Sequence, residues 1–147
     1  MNAEHRIHIH VTPQQVWSVL TDIDRWPQWQ AAVSNATLDG ALQPGSTFRW
    51  KAGGLNLTSR LTEVQPLQRI AWQGRGLGSR AEHGWSLQPQ GEGAEVTTAE
   101  TMRGWLPRLI GLVQPAFLDK TLQTVLAELK AEVERRHPSP RHAGASP

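Results

Sequence analysis

Between residues 31 and 103 the sequence is a series of short segments divided by turn residues, and this limits the fold more than any motif does. The breaks fall at Pro44-Gly45, Gly53-Gly54, Pro66, Gly76 to Gly78, and Pro89 to Gly93. The stretches between them, 32–39, 46–52, 55–64, 68–75, 79–88 and 94–103, therefore read as consecutive antiparallel hairpins. A further strand precedes them. Over residues 3–11, Ile7, Ile9 and Val11 alternate with Arg6, His8 and His10, a period of two that marks a half-buried strand.

Helical signals flank this block. Thr12-Pro13-Gln14-Gln15 has a capping residue, a proline at the first helical position and a glutamine to complete a capping box. The helix that follows buries Val16, Trp17, Val19 and Leu20. A second short helical piece starts at Thr21-Asp22, is limited by Pro27 and closes at Trp29. Near the other end, Leu106 to Val113 is a short apolar piece interrupted by Gly111 and stopped before Pro115. From Ala116, Leu118, Leu122, Val125, Leu126, Leu129 and Val133 recur at spacings of three and four. That is one apolar stripe on a long helix, ended by Pro138 and Pro140. The expectation is an α+β domain over residues 1–136. Its seven-stranded sheet is antiparallel and curved around the long C-terminal helix, with two short helices between the first and second strands. Residues 137–147 read as a disordered basic tail.

Composition excludes several classes. With no cysteine among 147 residues, neither a disulfide framework nor a thiolate metal site is available. No apolar run approaches the ~20 residues that span a bilayer, so stable membrane insertion is not expected. The N-terminus lacks the layout of a signal peptide, which makes a cytoplasmic location the expectation. The sequence pI is 9.7. Yet Arg135, Arg136 and Arg141 all follow Glu134, leaving twelve basic against thirteen acidic residues before them. A nucleic-acid binder carries its positive charge as a patch on the folded surface, and none is expected here. Seven Trp stand beside two Phe and no Tyr. Several indoles facing one space suit a flat or polycyclic apolar guest.

The chain also resembles a known superfamily. The residues that carry the resemblance are Thr12-Pro13-x-x-Val16-Trp17 and the segment Thr21-Asp22-Ile23-Asp24-Arg25-Trp26-Pro27-Gln28-Trp29. Pro44-Gly45-Ser46-x-Phe48-Arg49-Trp50-Lys51, Ile70-Ala71-Trp72-x-Gly74, Val96-Thr97-Thr98-x-Glu100 and Gly104-Trp105 continue it. Together they resemble the SRPBCC superfamily of START domains and Bet v 1-type proteins, and within it the bacterial polyketide cyclase/dehydrase-like proteins. The resemblance implies a helix-grip fold with a cavity beneath the long helix. Its members include carriers, receptors and cyclases, so the fold alone does not name a reaction.

Strand alternation assigns the concave face. Phe48 and Trp50 share a side, as do Leu57, Ser59 and Leu61, then Ile70 and Trp72. On the last two strands the inward sets are Ala81, His83, Trp85 and Leu87, and Val96, Thr98, Glu100 and Met102. Leu118 and Leu122 face them from the long helix. His83 and Glu100 do not belong to a plain core, because a buried carboxylate needs a partner or a proton. They could pair with each other, or Arg103 or Arg108 could fold over Glu100. An acid–base pair within Trp and Leu walls suits an anchoring point or a proton-transfer site; a purely structural pair is the alternative. Trp50, Trp72 and Trp85 could likewise form a ligand wall or simply fill the core.

His8 and His10 share a strand face without a third ligand nearby, so no metal is expected, and nothing calls for a cofactor. Gly74-Arg75-Gly76-Leu77-Gly78 joins two strands as a flexible hairpin and opens no helix, so it is no phosphate cradle. The first functional reading is a non-catalytic binder of a lipid-like or aromatic molecule. The second is a cyclase, aromatase or isomerase in which His83 is the base and Glu100 orients it or acts as acid. The third is a protein-interaction module. The expected partner is an apolar small molecule, with the chain a monomer or homodimer.

Overall fold

All seven expected strands form, each within two residues of its expected ends. They are β1 (Asn2–Ile9), β2 (Val33–Asp39), β3 (Thr47–Ala52), β4 (Leu55–Gln65), β5 (Arg69–Gly76), β6 (Ser79–Gln90) and β7 (Gly93–Arg103). Between β1 and β2 lie α1 (Pro13–Leu20) and a 3-10 helix (Ile23–Gln28). After β7 come α2 (Trp105–Val113) and α3 (Phe117–Arg136). The computed structural model describes residues 1–138. The rest of the expected tail, with Arg141 and His142, lies outside the described residues.

The strands make one antiparallel sheet in the order β1-β7-β6-β5-β4-β3-β2. Strands β2 to β7 follow one another as a meander, and β1 returns to pair with β7, Asn2 opposite Thr101 and Ile9 opposite Ala94. Register irregularities between Val33 and Asn35 and between Leu61 and Glu63 bend the sheet, as bulges do. The result is an α+β helix-grip fold.

Local chemistry explains the elements. Thr12 Oγ1 accepts from the Gln15 amide at 3.3 Å while Gln15 Oε1 accepts from the Thr12 amide at 3.1 Å, a complete capping box. Two expectations about breakers are corrected. Pro27 lies inside the 3-10 helix, because Trp29 and Gln30 both bond back to the Trp26 carbonyl beyond it. Gly111 does not interrupt α2, which runs through it to Val113. One glycine costs a helix only about 1 kcal/mol.

The core is centred away from the sheet's middle. Val16, Val19 and Leu20 of α1, Trp26 and Trp29, and Leu126, Leu129 and Val133 of α3 form one cluster with Phe48, Leu61, Ile70, Trp72 and Trp85. Trp26 sits edge-on to Phe48 (5.4 Å, 87°) and to Trp50 (5.3 Å, 72°), and donates its indole N–H to the Leu20 carbonyl at 2.9 Å. The two short helices and the C-terminal half of α3 thus plug one end of the sheet. At that helix end Glu132 is buried and accepts from Arg136 Nε at 3.0 Å and from Arg135. Two of the three arginines that follow Glu134 therefore belong to α3.

Candidate functional site

The opposite end of the sheet is less filled. An internal cavity of about 70 Å³ lies there among Trp50, Leu57, Ser59, Trp72, His83, Glu100 and Met102, with Gly74 to Gly76, Ser79 and Ala81 completing its wall. The remaining candidates lie elsewhere. Phe48, Leu61, Ile70, Trp85 and Thr98 are buried in the sheet's packed face, and Leu118 and Leu122 are buried under α3. Trp50 and Trp72 do two jobs. Their rings pack on Trp26 on one side, at 5.3 Å and 5.5 Å, and border the cavity on the other.

Antiparallel register places His83 of β6 directly opposite Glu100 of β7. Both point inward because each is an even number of positions from a core residue, Trp85 and Thr98 respectively. His83 Nδ1 lies 3.0 Å from Glu100 Oε2, and the two side chains are 11% and 14% exposed. Neither Arg103 nor Arg108 pairs with Glu100, since Arg103 projects from the outer face. His83 Nε2 lies 2.7 Å from Thr98 Oγ1, and Thr98 Oγ1 donates to the Gly84 carbonyl at 3.2 Å.

The Thr98 hydroxyl thus holds Nε2 and Glu100 holds Nδ1. Both ring nitrogens are engaged, which leaves His83 no free lone pair to present to a guest. Glu100 Oε1 makes no hydrogen bond among the described residues. Of the pair, the carboxyl group therefore keeps the free polar atom, with the imidazole as its support. Ser59, also on the wall, accepts from Trp50 Nε1 at 3.1 Å. The ring of His83 stacks on Trp85 (5.5 Å, 25°), whose own buried N–H has no acceptor among the described residues.

The wall residues missed from the sequence are Gly74, Arg75, Gly76 and Ser79. The glycine-rich stretch reads there as a flexible hairpin, whereas β5 continues through it to Gly76. At Gly76 the strands lie close: a Cβ there would lie 2.5 Å from Leu57 Cδ2, so that side chain would have to shift. Trp105 does not cover the cavity, although it stands beside it against Gly78. On the outer face His8 Nδ1 is 2.8 Å from Gln90 Oε1, and no group of three metal-ligating side chains occurs among the described residues. No helix there is long and apolar enough to cross a membrane.

Comparison with known proteins agrees with this geometry. Residues 1–134 match the family model described as polyketide cyclase / dehydrase and lipid transport. No curated protein matches the chain in sequence. Among solved structures, a START superfamily protein from Mycobacterium smegmatis superposes with a TM-score of 0.76 at 17% identity, covering 91% of this chain and 97% of that one. An aromatase/cyclase from a Streptomyces species gives 0.76 at 16% identity, over 92% and 95% of the two chains. A hypothetical protein from Helicobacter pylori gives 0.78 at 17% identity, over 90% and 86%. At such identities the likeness is one of fold.

Proposed function

Because the chain belongs to the polyketide cyclase / dehydrase and lipid transport family, we propose that it holds an apolar or aromatic small molecule in the cavity beside Glu100. The observation that carries the reading is one unpartnered carboxyl oxygen on a residue of the same wall as Trp50, Trp72, Leu57 and Met102. Apolar lining with one or two orienting polar atoms is the usual make-up of a small-molecule site. Glu100, backed by His83 and Thr98, is the orienting group; Trp50, Trp72, Leu57 and Met102 supply the apolar contact.

Size decides how a guest would fit. Sites for molecules of drug size run to roughly 300–1,000 Å³, against about 70 Å³ here. A flat or long-chain guest must therefore enlarge the space. The α2 end is where this costs least. Of α2, Pro107 is the single buried residue, and a 3.1 Å bond from the Leu106 amide to the Gly78 carbonyl ties the helix to the sheet.

Native mass spectrometry of gently purified protein tests the proposal, together with displacement of the fluorescent probe anilinonaphthalene sulfonate by aromatic and long-chain compounds. A co-purifying mass that disappears in Glu100→Gln and in the cavity-filling Ala81→Leu supports it. A protein that carries nothing and takes up no compound would overturn it.

A second reading is favoured by the 3.0 Å contact between His83 Nδ1 and Glu100. A carboxylate so supported can take a proton from carbon beside a carbonyl of the guest and return it to the oxygen formed when a ring closes. On this reading Glu100, not His83, touches the reacting atoms. Turnover of a poly-carbonyl substrate that Glu100→Gln abolishes without weakening substrate binding would establish it.

A further inference from the structure

Arg75, Arg80 and Arg103 are register partners on three neighbouring strands, Arg75 opposite Arg80 and Arg80 opposite Arg103. All three are exposed, and none makes an ion pair among the described residues. Like charges directly opposite one another destabilise a sheet. Beside this row runs a groove of about 330 Å³, lined by the three arginines, Gly76, Gly78, Ser79, Gly104 and Trp105, with no carboxylate.

The adjoining helix has its apolar face turned to water. Trp105, Leu109, Leu112 and Val113 of α2 fall at i, i+4, i+7 and i+8, one side of a helix. They are 59%, 52%, 80% and 76% exposed, and Leu77, in the turn before β6, is 63% exposed. The other side of α2 meets β6 and β7, and Pro107 is the buried residue of the helix. A surface helix ordinarily buries its apolar stripe.

We propose that this end of the domain docks on an anionic lipid surface. Arginines bind the headgroup phosphates, a tryptophan sits at the headgroup level, and the leucines and valine enter the acyl boundary. The charge complementarity is one-sided: Glu82 is the one carboxylate in the neighbouring groove with Arg60, and it makes no ion pair among the described residues. A soft layer suits this patch better than an acidic protein does. Leu112 and Val113 stand out into solvent instead of framing a hollow into which a partner side chain could key. The docking groove shares Arg75, Gly76 and Ser79 with the wall of the internal cavity. Docking would bring that wall to the membrane, but the proposal does not depend on what the cavity holds.

The full chain is floated with phosphatidylcholine vesicles, with and without phosphatidylglycerol. Binding is expected on the anionic vesicles, weakening as salt is raised. Arg80→Gln should lower the partition coefficient about fivefold, and Leu112→Glu with Val113→Glu should lower it at least as far. These positions are exposed, so unchanged thermal melting shows that the variants fold. Equal binding to neutral vesicles, variants that bind as well as the parent, or no vesicle binding at all would overturn the proposal. So would a soluble acidic protein that binds this patch while vesicles do not.

Discussion

Thr98 and His83 fix one another: the threonine hydroxyl lies 2.7 Å from Nε2 and 3.2 Å from the Gly84 carbonyl. The ring is thereby aimed with Nδ1 toward Glu100. Thr98→Val removes that constraint and leaves a nearly buried ring nitrogen without a partner. A loss of about 1–3 kcal/mol in urea denaturation is expected. Imidazole nitrogen NMR should report the lost hydrogen bond at Nε2 in the variant and not in Thr98→Ser.

The pair itself should behave non-additively. Removing His83 or Glu100 alone strands a polar partner, whereas replacing both with apolar groups of similar size removes the need for either. His83→Leu and Glu100→Met are each expected to destabilise by about 1–3 kcal/mol. The double variant should recover most of that loss. A double-mutant cycle checks this; additive losses would mean that the two side chains do not stabilise each other.

Gly78 carries a steric load at the α2 end. Its φ is +58°, and a Cβ there would approach Trp105 Cε2 to 2.2 Å. Gly78→Ala should push the indole away and loosen α2, with a stability loss of about 1–3 kcal/mol. Hydrogen exchange should quicken in residues 105–113 while α3 stays protected.

The C-terminal turn of α3 predicts a response to acid. Burial disfavours the Glu132 carboxylate, but hydrogen bonds from Arg136 and Arg135 outweigh this and hold its pKa below the ordinary value. Burial likewise acts against Glu134, which is held low by Lys130 Nζ at 2.7 Å and the His10 amide at 3.0 Å. A group whose pKa is lower in the folded state stabilises above its unfolded pKa, and that contribution vanishes as pH falls through the folded value. Stability should therefore decline below the ordinary carboxylate range. Glu132→Gln and Glu134→Gln together should flatten that decline in melts taken across acid pH. At neutral pH Glu134→Gln should cost about 1 kcal/mol or less, and Glu132→Gln, at a buried carboxylate, about 1–3 kcal/mol.

A simpler check concerns α1. Thr12→Ala deletes the hydroxyl of the capping box and should cost about 1 kcal/mol. Thr12→Ser should restore the parent melting temperature.

Much of this architecture can be read from local pattern. Turn residues bound every strand from Val33 to Arg103, and period-two alternation separates inward Trp50, Leu61, Trp72 and Trp85 from outward Arg49, Arg60 and Gln73. It even places His83 and Glu100 on one face. Alternation does not say which inward side chains meet and which leave space, because that depends on the tilt of Trp26 and the reach of α3. Phe48 and Leu118 therefore look equivalent to Trp50 and Leu57 in sequence, yet only the latter two border the cavity. Nor does it reveal that Thr98 occupies the second nitrogen of His83, a contact made between β6 and β7. The outward apolar face of α2 is hidden for a related reason: an amphipathic helix has the same periodicity whichever way it faces.

The pairing of β1 with β7 also governs when this protein can finish folding. The amino group of Met1 bonds the carbonyl of Met102 at 3.1 Å, across a sequence separation of 101. On a ribosome adding about 5–20 residues per second, the first strand therefore waits roughly 5–20 s for its neighbour to be made. Until then Ile7 and Ile9 are bare on a nascent chain, and a chaperone that shields this first strand would cover them.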